Sequence, residues 1–483
     1  MKERTDISDR LFAGPMSGRR TSGGVEALPR GPRRWPLVGH LPFLIFSILR
    51  ARGDFSEAVR RMLRDFKCKT LYLRVLWKTL VISVDPAFAS RVLVDHASDF
   101  PKARWEGLVL KPVMGEGLII LEGKDWKEHR AAAAPRFSAS LMDGWGAIVL
   151  DAARDRLAQW QREIDVGHEM RCITSDVLAR FFMRDHRLSD GHNSSLAHYA
   201  KTYDPLEGGL ESPVFDPTGL LAGLRARLRW QPPFSAALDL VNGAINEQVS
   251  RAETHSPKRT ALEILLSQLD QQAVCHEIRT LTAAGATTVH LLSWICQLLG
   301  THPTIQRELR REIPLASTLD GCSYLTAVIQ EGLRLYPPAP YLLRQASATI
   351  ATDSNLDLPP PSSLVLISLW GMHRDPNFFP YPDEFIPERW LGASGRAVGF
   401  DEVFVPFGMG PRVCIGMRFA MIETTIILSE IIRRFEIEPI HREPVAPKLS
   451  ILTRPKEDVL LSVRSLVPFS QSSFKSKRHL RVA

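Results

Sequence analysis

A single cysteine, Cys414, lies in the run Phe407-Gly408-Met409-Gly410-Pro411-Arg412-Val413-Cys414-Ile415-Gly416, which leads into the apolar stretch Met417 to Phe435. That stretch carries only Arg418, Glu423, Glu430, Arg433 and Arg434 as charges and is expected to be a helix. Unpartnered backbone N–H groups at a helix start stabilise a nearby anion and lower a cysteine's pKa toward thiolate. Gly410 and Gly416 would let the backbone close in around the sulfur, and Phe407 would shield it from water. A shielded thiolate with no second cysteine nearby suits one axial position on a haem iron. Taken alone, such a cysteine is more simply a small buried hydrophobe in a turn. The residues around it decide between the two.

The pattern Phe-x-x-Gly-x-Arg-x-Cys-x-Gly is matched at every fixed position and resembles the haem-ligand loop of the cytochrome P-450 family. The resemblance implies a mainly α protein with a small β subdomain, the triangular haem-thiolate fold. It also implies haem b as cofactor, Cys414 as iron ligand, and Phe407, Arg412 and Gly416 as cofactor-binding residues. Trp126 and Arg130 stand four apart, on one face of a helix, and resemble the family's W-x-x-x-R helix with Pro135-Arg136-Phe137 following. Arg344, ten residues after Arg334, matches a further propionate-binding arginine. Glu331 and Arg334 share a helix face at i and i+3, before Pro337 and Pro338 end that helix. They match the family's Glu-x-x-Arg pair, and Arg389 in Pro387-Glu388-Arg389-Trp390 matches its second arginine. The three are expected to lock the core structurally through charge-assisted bonds.

A long apolar helix is expected from about Cys275 to Leu299, and it carries Ala283-Ala284-Gly285-Ala286-Thr287-Thr288. The family's pattern there is Ala-Gly-x-acid-Thr-Thr, so Thr287 and Thr288 are candidate catalytic residues while the carboxylate is absent. In the family, acid and threonine relay protons, which is general-acid work. A mid-helix threonine can instead bond back to the carbonyl four residues earlier. Gly285 is expected to favour a locally opened helix that admits oxygen or water.

The elements that must position these residues follow from the rest of the chain. The segment Leu28 to Pro42 is rich in proline and glycine and is expected to be neither helix nor strand. Leu71 to Val84 reads as two short strands, and Glu122 to about Gly300 as mostly helical. Pro337 to Pro411 suits loops and small strands. One catalytic domain is expected over 28–465, between a polar N-terminal tail at 1–27 and a basic C-terminal tail at 466–483. Substrate-pocket candidates are the loop Arg104 to Gly117, Ala283 to Thr288, Ala339 to Leu342, and Leu449 to Leu452.

Apolar content of 45% and charged content of 24% are ordinary for a soluble globular protein. The six cysteines show no C-x-x-C and no paired spacing, which argues for a reducing compartment. The net charge of +8 is spread along the chain without a basic, aromatic-interleaved stripe, so no nucleic-acid partner is expected. The first apolar stretch, Trp35 to Leu49, is broken by Pro36, His40 and Pro42 and is too short to span a bilayer. These features point to a cytoplasmic protein with no transmembrane anchor, and a monomer is expected. The resemblance implies a monooxygenase that inserts one oxygen atom of dioxygen into an apolar organic substrate, with electrons from a ferredoxin or flavoprotein. A same-fold peroxygenase or isomerase, needing no proton relay, and a non-enzymatic haem-binding protein are the alternatives.

Overall fold

The computed structural model describes residues 13–15, 30–32, 35–51, 54–137, 145–183, 261–315, 321–350, 358–392, 400–441 and 443–466, and the isolated positions 239, 242, 243 and 246. In chain order, its described helices of ten residues or more are Leu41–Arg50 (α1), Phe55–Asp65 (α2), Arg104–Met114 (α3), Gly123–Ala133 (α4), Trp145–Leu157 (α5) and Val166–Met183 (α6). They continue as Gln271–Ala284 (α7), Ala286–Thr301 (α8), Pro303–Leu315 (α9), Ser323–Leu335 (α10) and Met417–Arg434 (α11). Local chemistry sets several of their ends. Asp54 and Asp270 accept bonds from Glu57 N and Ala273 N and so cap α2 and α7. Pro337 and Pro338 follow directly on the turn that ends α10.

The strands are short and few in proportion. Thr70–Val75 (β3) and Lys78–Ser83 (β4) form the hairpin expected from Leu71 to Val84. They join Tyr341–Gln345 (β6) and Leu364–Ser368 (β7) in one sheet of order β3-β4-β7-β6, in which only β4 and β7 run parallel. A second sheet orders Glu163–Asp165 (β5), Leu460–Ser465 (β11) and Phe435–Pro439 (β8), while Pro447–Leu449 (β9) pairs with Thr453–Pro455 (β10). Arg344 therefore sits on β6, at a sheet edge.

The core lies around α8, whose residues from Val289 to Ile295 are all buried. A helix apolar on every side belongs inside. It packs against α6, α10 and α11, while α11 packs on α5 and α10. This brings the segment after Cys414 against the segment carrying Thr287 and Thr288.

Three expectations need correction. Leu28 to Pro42 is not devoid of regular structure: Arg30–Pro32 (β2) pairs with Ala13–Pro15 (β1), and α1 begins at Leu41. Pro42 falls in the first turn of α1, where its missing N–H has no intrahelical partner to lose. The long helix of the core is two segments meeting at Gly285, whose backbone is itself right-handed helical. Residues 104–117 are mostly the helix α3 rather than a loop, ended by Gly115 with φ +70°. The terminal tails fall outside the described residues, apart from β1 and Leu466.

Candidate active site around Cys414

The cysteine loop is shaped by its own backbone bonds. Cys414 N donates to Phe407 O (3.0 Å) and Val413 N to Gly410 O (3.1 Å), closing a tight turn over Gly410–Arg412. Gly408 and Gly410 take φ of +75° and +71°, which a side chain would strain. At Gly410 an added Cβ would lie 2.0 Å from Leu93 O, so this glycine serves close packing against the turn Arg91–Asp95 rather than against the sulfur. Gly416 does adjoin the sulfur, its notional Cβ lying 4.0 Å from Cys414 Sγ.

Cys414 opens onto a cavity of about 310 Å3 that is also lined by Phe407, Gly416, Trp126, Arg130, Arg344 and Arg412. All seven cofactor-binding candidates of the sequence thus meet at one void. Thr287 and Thr288 line it too, from α8. Phe137, Phe181 and Phe419 add apolar wall, and Phe181 packs at a tilt of 46° against Trp145 with ring centroids 3.7 Å apart. Ala339, Tyr341 and Leu342 contribute as expected, whereas Leu449 to Leu452 are not among the lining residues.

The expectation that the helix start would lower the Cys414 pKa is not met. Burial pushes the thiol up, while the Gly416 N–H and the charge of Arg130 only partly offset it. The residue is exposed to the cavity, yet protein surrounds it closely enough for desolvation to dominate. A thiolate there calls for a stronger positive charge than the helix provides, such as a metal ion.

One wall concentrates cations. Arg130 Nη2 donates to Val413 O (3.0 Å), fixing α4 to the cysteine loop. Arg412 lies 4.0 Å over the Trp126 ring and pairs with Glu122 at 2.5 Å. Its Nη1 is nevertheless buried with no hydrogen-bond partner among the described residues. Lys102, which the sequence reading missed, lines the same wall beside Glu106 (3.4 Å). Burial depresses the pKa of Lys102, Arg344 and Arg412, and for Lys102 the charges of Arg344 and Arg412 add to this. Cations crowded against an apolar void, one with an unfilled donor, suit the two carboxylates of a haem. The residues present therefore fit the group.

The supporting triad is assembled as expected. Arg334 binds Glu331 in a bidentate fork (2.8 and 2.8 Å) and donates to His373 O, Pro382 O and Glu384 O. Arg389 Nε reaches the same carboxylate at 3.1 Å, joined by Trp390 Nε1 at 2.9 Å and Ile386 N at 3.0 Å. Burial alone would raise the Glu331 pKa, but Arg334, Ile386 N–H and Arg389 hold it below the usual carboxylate range. The triad sits at the foot of α10, whose Leu333 lines the cavity and whose end feeds β6 and Arg344.

On α8 the two threonines differ. Thr287 Oγ1 donates to Ala284 O at 2.8 Å, three residues back, and so spends its proton on the helix. Thr288 is buried and turns its hydroxyl toward Glu423 on α11. Gly285, three residues before Thr288, lies on the same helix face. An added Cβ there would lie 2.8 Å from Leu178 Cδ1 and 3.2 Å from Thr174 Cγ2, so it admits α6 to close packing. That replaces the expectation of a helix opened for oxygen.

A mainly helical chain with small sheets, and a cysteine presented to a cavity walled by arginines, define a haem-thiolate protein. The Cytochrome P450 family model matches residues 29–462, and the chain belongs to that family. It is a haem-iron monooxygenase, and so an oxidoreductase. Cyclooctatin synthase of Streptomyces melanosporofaciens is 29% identical over 86% of this chain and 91% of its own length. Cyclooctat-9-en-7-ol 5-monooxygenase of the same organism is 25% identical over 91% of this chain and 95% of its own. Cytochrome P450 4A11 of Homo sapiens is 26% identical over 92% and 89%. Among the described residues no helix is long and apolar enough to cross a membrane.

Proposed function

We propose that this chain, through one catalytic domain spanning 28–465, inserts one oxygen atom of dioxygen into an apolar, ring-bearing substrate of the alkenol class. Electrons come from a separate ferredoxin or flavoprotein. Its cofactor is haem b, and it acts as a cytoplasmic monomer. The observation that carries the reading is the meeting of Cys414 with Arg130, Arg344 and Arg412 on one apolar cavity. The alkenol class rests on the bacterial relative whose name specifies oxidation of cyclooctat-9-en-7-ol.

When bound, a thiolate-held haem supplies the activation of dioxygen. The chain's own work is positional. Cys414 Sγ would hold the iron and Arg130, Arg344, Arg412 and Lys102 would hold the propionates, with Trp126 beneath Arg412. Leu118, Ile119, Phe137, Leu178 and Phe181 exclude water and leave room for an apolar body. Thr288, which lines the cavity, passes a proton into it, whereas the Thr287 hydroxyl is held by Ala284 O at 2.8 Å.

Two results test this. With NAD(P)H and a generic ferredoxin or flavoprotein reductase system, cyclic alkenols are expected to be hydroxylated faster than with peroxide alone. The reverse order would favour a peroxygenase, a reading that the carboxylate-free stretch Ala283 to Thr288 keeps in view. Thr288→Ala is expected to lower product formed per NAD(P)H consumed by about tenfold. Thr287→Ala should stay within about twofold of the parent, since it loses only a helix-internal bond. Equal effects of the two would remove the relay assignment.

A further inference from the structure

Among the described residues five glutamates are buried: Glu169, Glu277, Glu331, Glu423 and Glu430. Three are held by arginine. Arg156 binds Glu169 at 2.7 Å, Arg334 binds Glu331 at 2.8 Å, and Arg434 and Arg154 bind Glu430 at 2.9 and 3.1 Å. Glu423 faces the hydroxyls of Thr174 and Thr288 and, among the described residues, pairs with no cation. Of the five, Glu277 is the one held by a histidine: His129 Nδ1 donates to its Oε1 at 2.6 Å. A guanidinium keeps its charge throughout the physiological range, whereas an imidazole loses it near neutrality.

This pair joins two elements that build the cavity. His129 stands on α4 directly before Arg130 and three residues after Trp126. Arg130 in turn donates to Val413 O beside Cys414, and Trp126 lies under Arg412. Glu277 stands on α7, one turn before Leu281 and two before Ala284, both of which line the cavity. Its side chain is fully buried, and its Oε2 makes no hydrogen bond among the described residues, while the His129 side chain is 13% exposed. The inner end of the pair is thus a carboxylate away from water, and the outer end a base within reach of solvent protons. Asp270 at the cap of α7 and Asp125 on α4 add negative charge around His129, and His276 on α7 is near enough for the two histidines to repel. The short helix Ala261–Leu266, which also packs on α4, carries Glu263.

We propose that His129 and Glu277 are positioning residues that clasp α4 to α7, so that the charge on His129 governs how firmly Arg130 and Trp126 are presented to the haem carboxylates. The inference rests on the haem-binding reading of the cavity. Without the imidazolium, Glu277 is an anion buried with no cation, which is costly, and the cost falls on the contact between the two helices. The hydrogen bond to Glu277 holds the His129 pKa above the ordinary histidine value, with burial opposing and Asp125 and Asp270 assisting. A folded pKa above the unfolded value of about 6.5 makes the clasp complete below about pH 6.5 and loosens it as pH rises through the folded value.

The test uses the haem-loaded protein and follows haem transfer to an excess of apomyoglobin by absorbance, from about pH 6 to about pH 9. The parent's rate of haem loss should rise about tenfold across this range. Glu277→Gln keeps an acceptor for neutral His129 and has no charge to strand, so its profile should stay flat near the parent's low-pH rate. His129→Ala strands the carboxylate and should lose haem about tenfold faster at every pH, and adding Glu277→Gln to it should recover part of that loss. A parent profile no steeper than that of Glu277→Gln, or losses that simply add in the double variant, would reject the clasp. If His129→Ala retains no haem, the comparison of the parent with Glu277→Gln decides alone. Arg130→Gln distinguishes the two possible failures. Unchanged haem loss in that variant would overturn the reading of the cavity and the clasp with it, whereas faster loss there beside a flat parent profile would overturn the clasp alone.

Discussion

Cys414→Ser is expected to abolish the strongly red-shifted Soret band that the reduced, carbon-monoxide-treated parent displays. Serine keeps the backbone bonds that shape the loop, Cys414 N to Phe407 O and Val413 N to Gly410 O, so the turn should persist. What is lost is the sulfur alone. Disturbing residues that merely orient a metal ligand costs about 10–100-fold; removing the ligand should lower NAD(P)H-driven turnover by more than about 100-fold. The described cysteines offer no substitute, since Cys414 is the one that lines the cavity. The difference spectrum, recorded beside a far-ultraviolet spectrum that checks the fold, separates loss of the ligand from loss of the protein. A retained red-shifted band in Cys414→Ser would displace Cys414 as the ligand.

The features that the sequence made legible are those fixed by short-range spacing. The loop Phe407 to Gly416, the i,i+4 pair Trp126 and Arg130, and the i,i+3 pair Glu331 and Arg334 each depend on contacts within one turn. Each lands where the spacing predicts. The β3–β4 hairpin was similarly readable from β-branched and aromatic residues on both sides of Lys78. What stayed hidden depends on partners distant in the chain. Lys102 joins the cation wall only because β6 carries Arg344 beside it, and no local pattern marks it. Gly285 reads as a helix opening until α6 brings Thr174 and Leu178 against it. The helix α3 was read as a loop because Gly107 and Pro112 depress helix propensity, and tertiary packing overrides that weak preference. At Cys414 burial outweighs the helix start as the larger influence on the thiol. Glu423 was visible as part of the Phe419-Ala420-x-x-Glu423 match, but its lack of a cation is a property of the packed core.

Glu331→Ala is expected to be the most destabilising single change in the described core. The carboxylate receives Arg334 twice, Arg389, Trp390 Nε1 and Ile386 N, and both Glu331 and Arg334 are fully buried. Removing it strands a guanidinium where water cannot reach, and breaking a buried pair from one side costs about 3–5 kcal/mol. Against a total stability of about 5–15 kcal/mol, this should lower the melting temperature by about 3–6 °C or leave little soluble holoprotein. Arg389→Ala removes the 3.1 Å contact with Glu331 and the bonds to Pro380 O and Tyr381 O from a side chain that keeps some solvent exposure, and should cost about 1–3 kcal/mol. The pH dependence carries an independent signature. Glu331 has a folded pKa below its unfolded value, so its ionised form stabilises the fold above the ordinary glutamate range. That contribution fades as pH falls through the folded pKa. The gap between parent and Glu331→Gln should accordingly narrow in acid. Chemical denaturation of parent and Glu331→Gln across pH reads the effect. A Glu331→Gln gap that does not narrow in acid would mean that Arg334 is held by its backbone carbonyls rather than by the carboxylate.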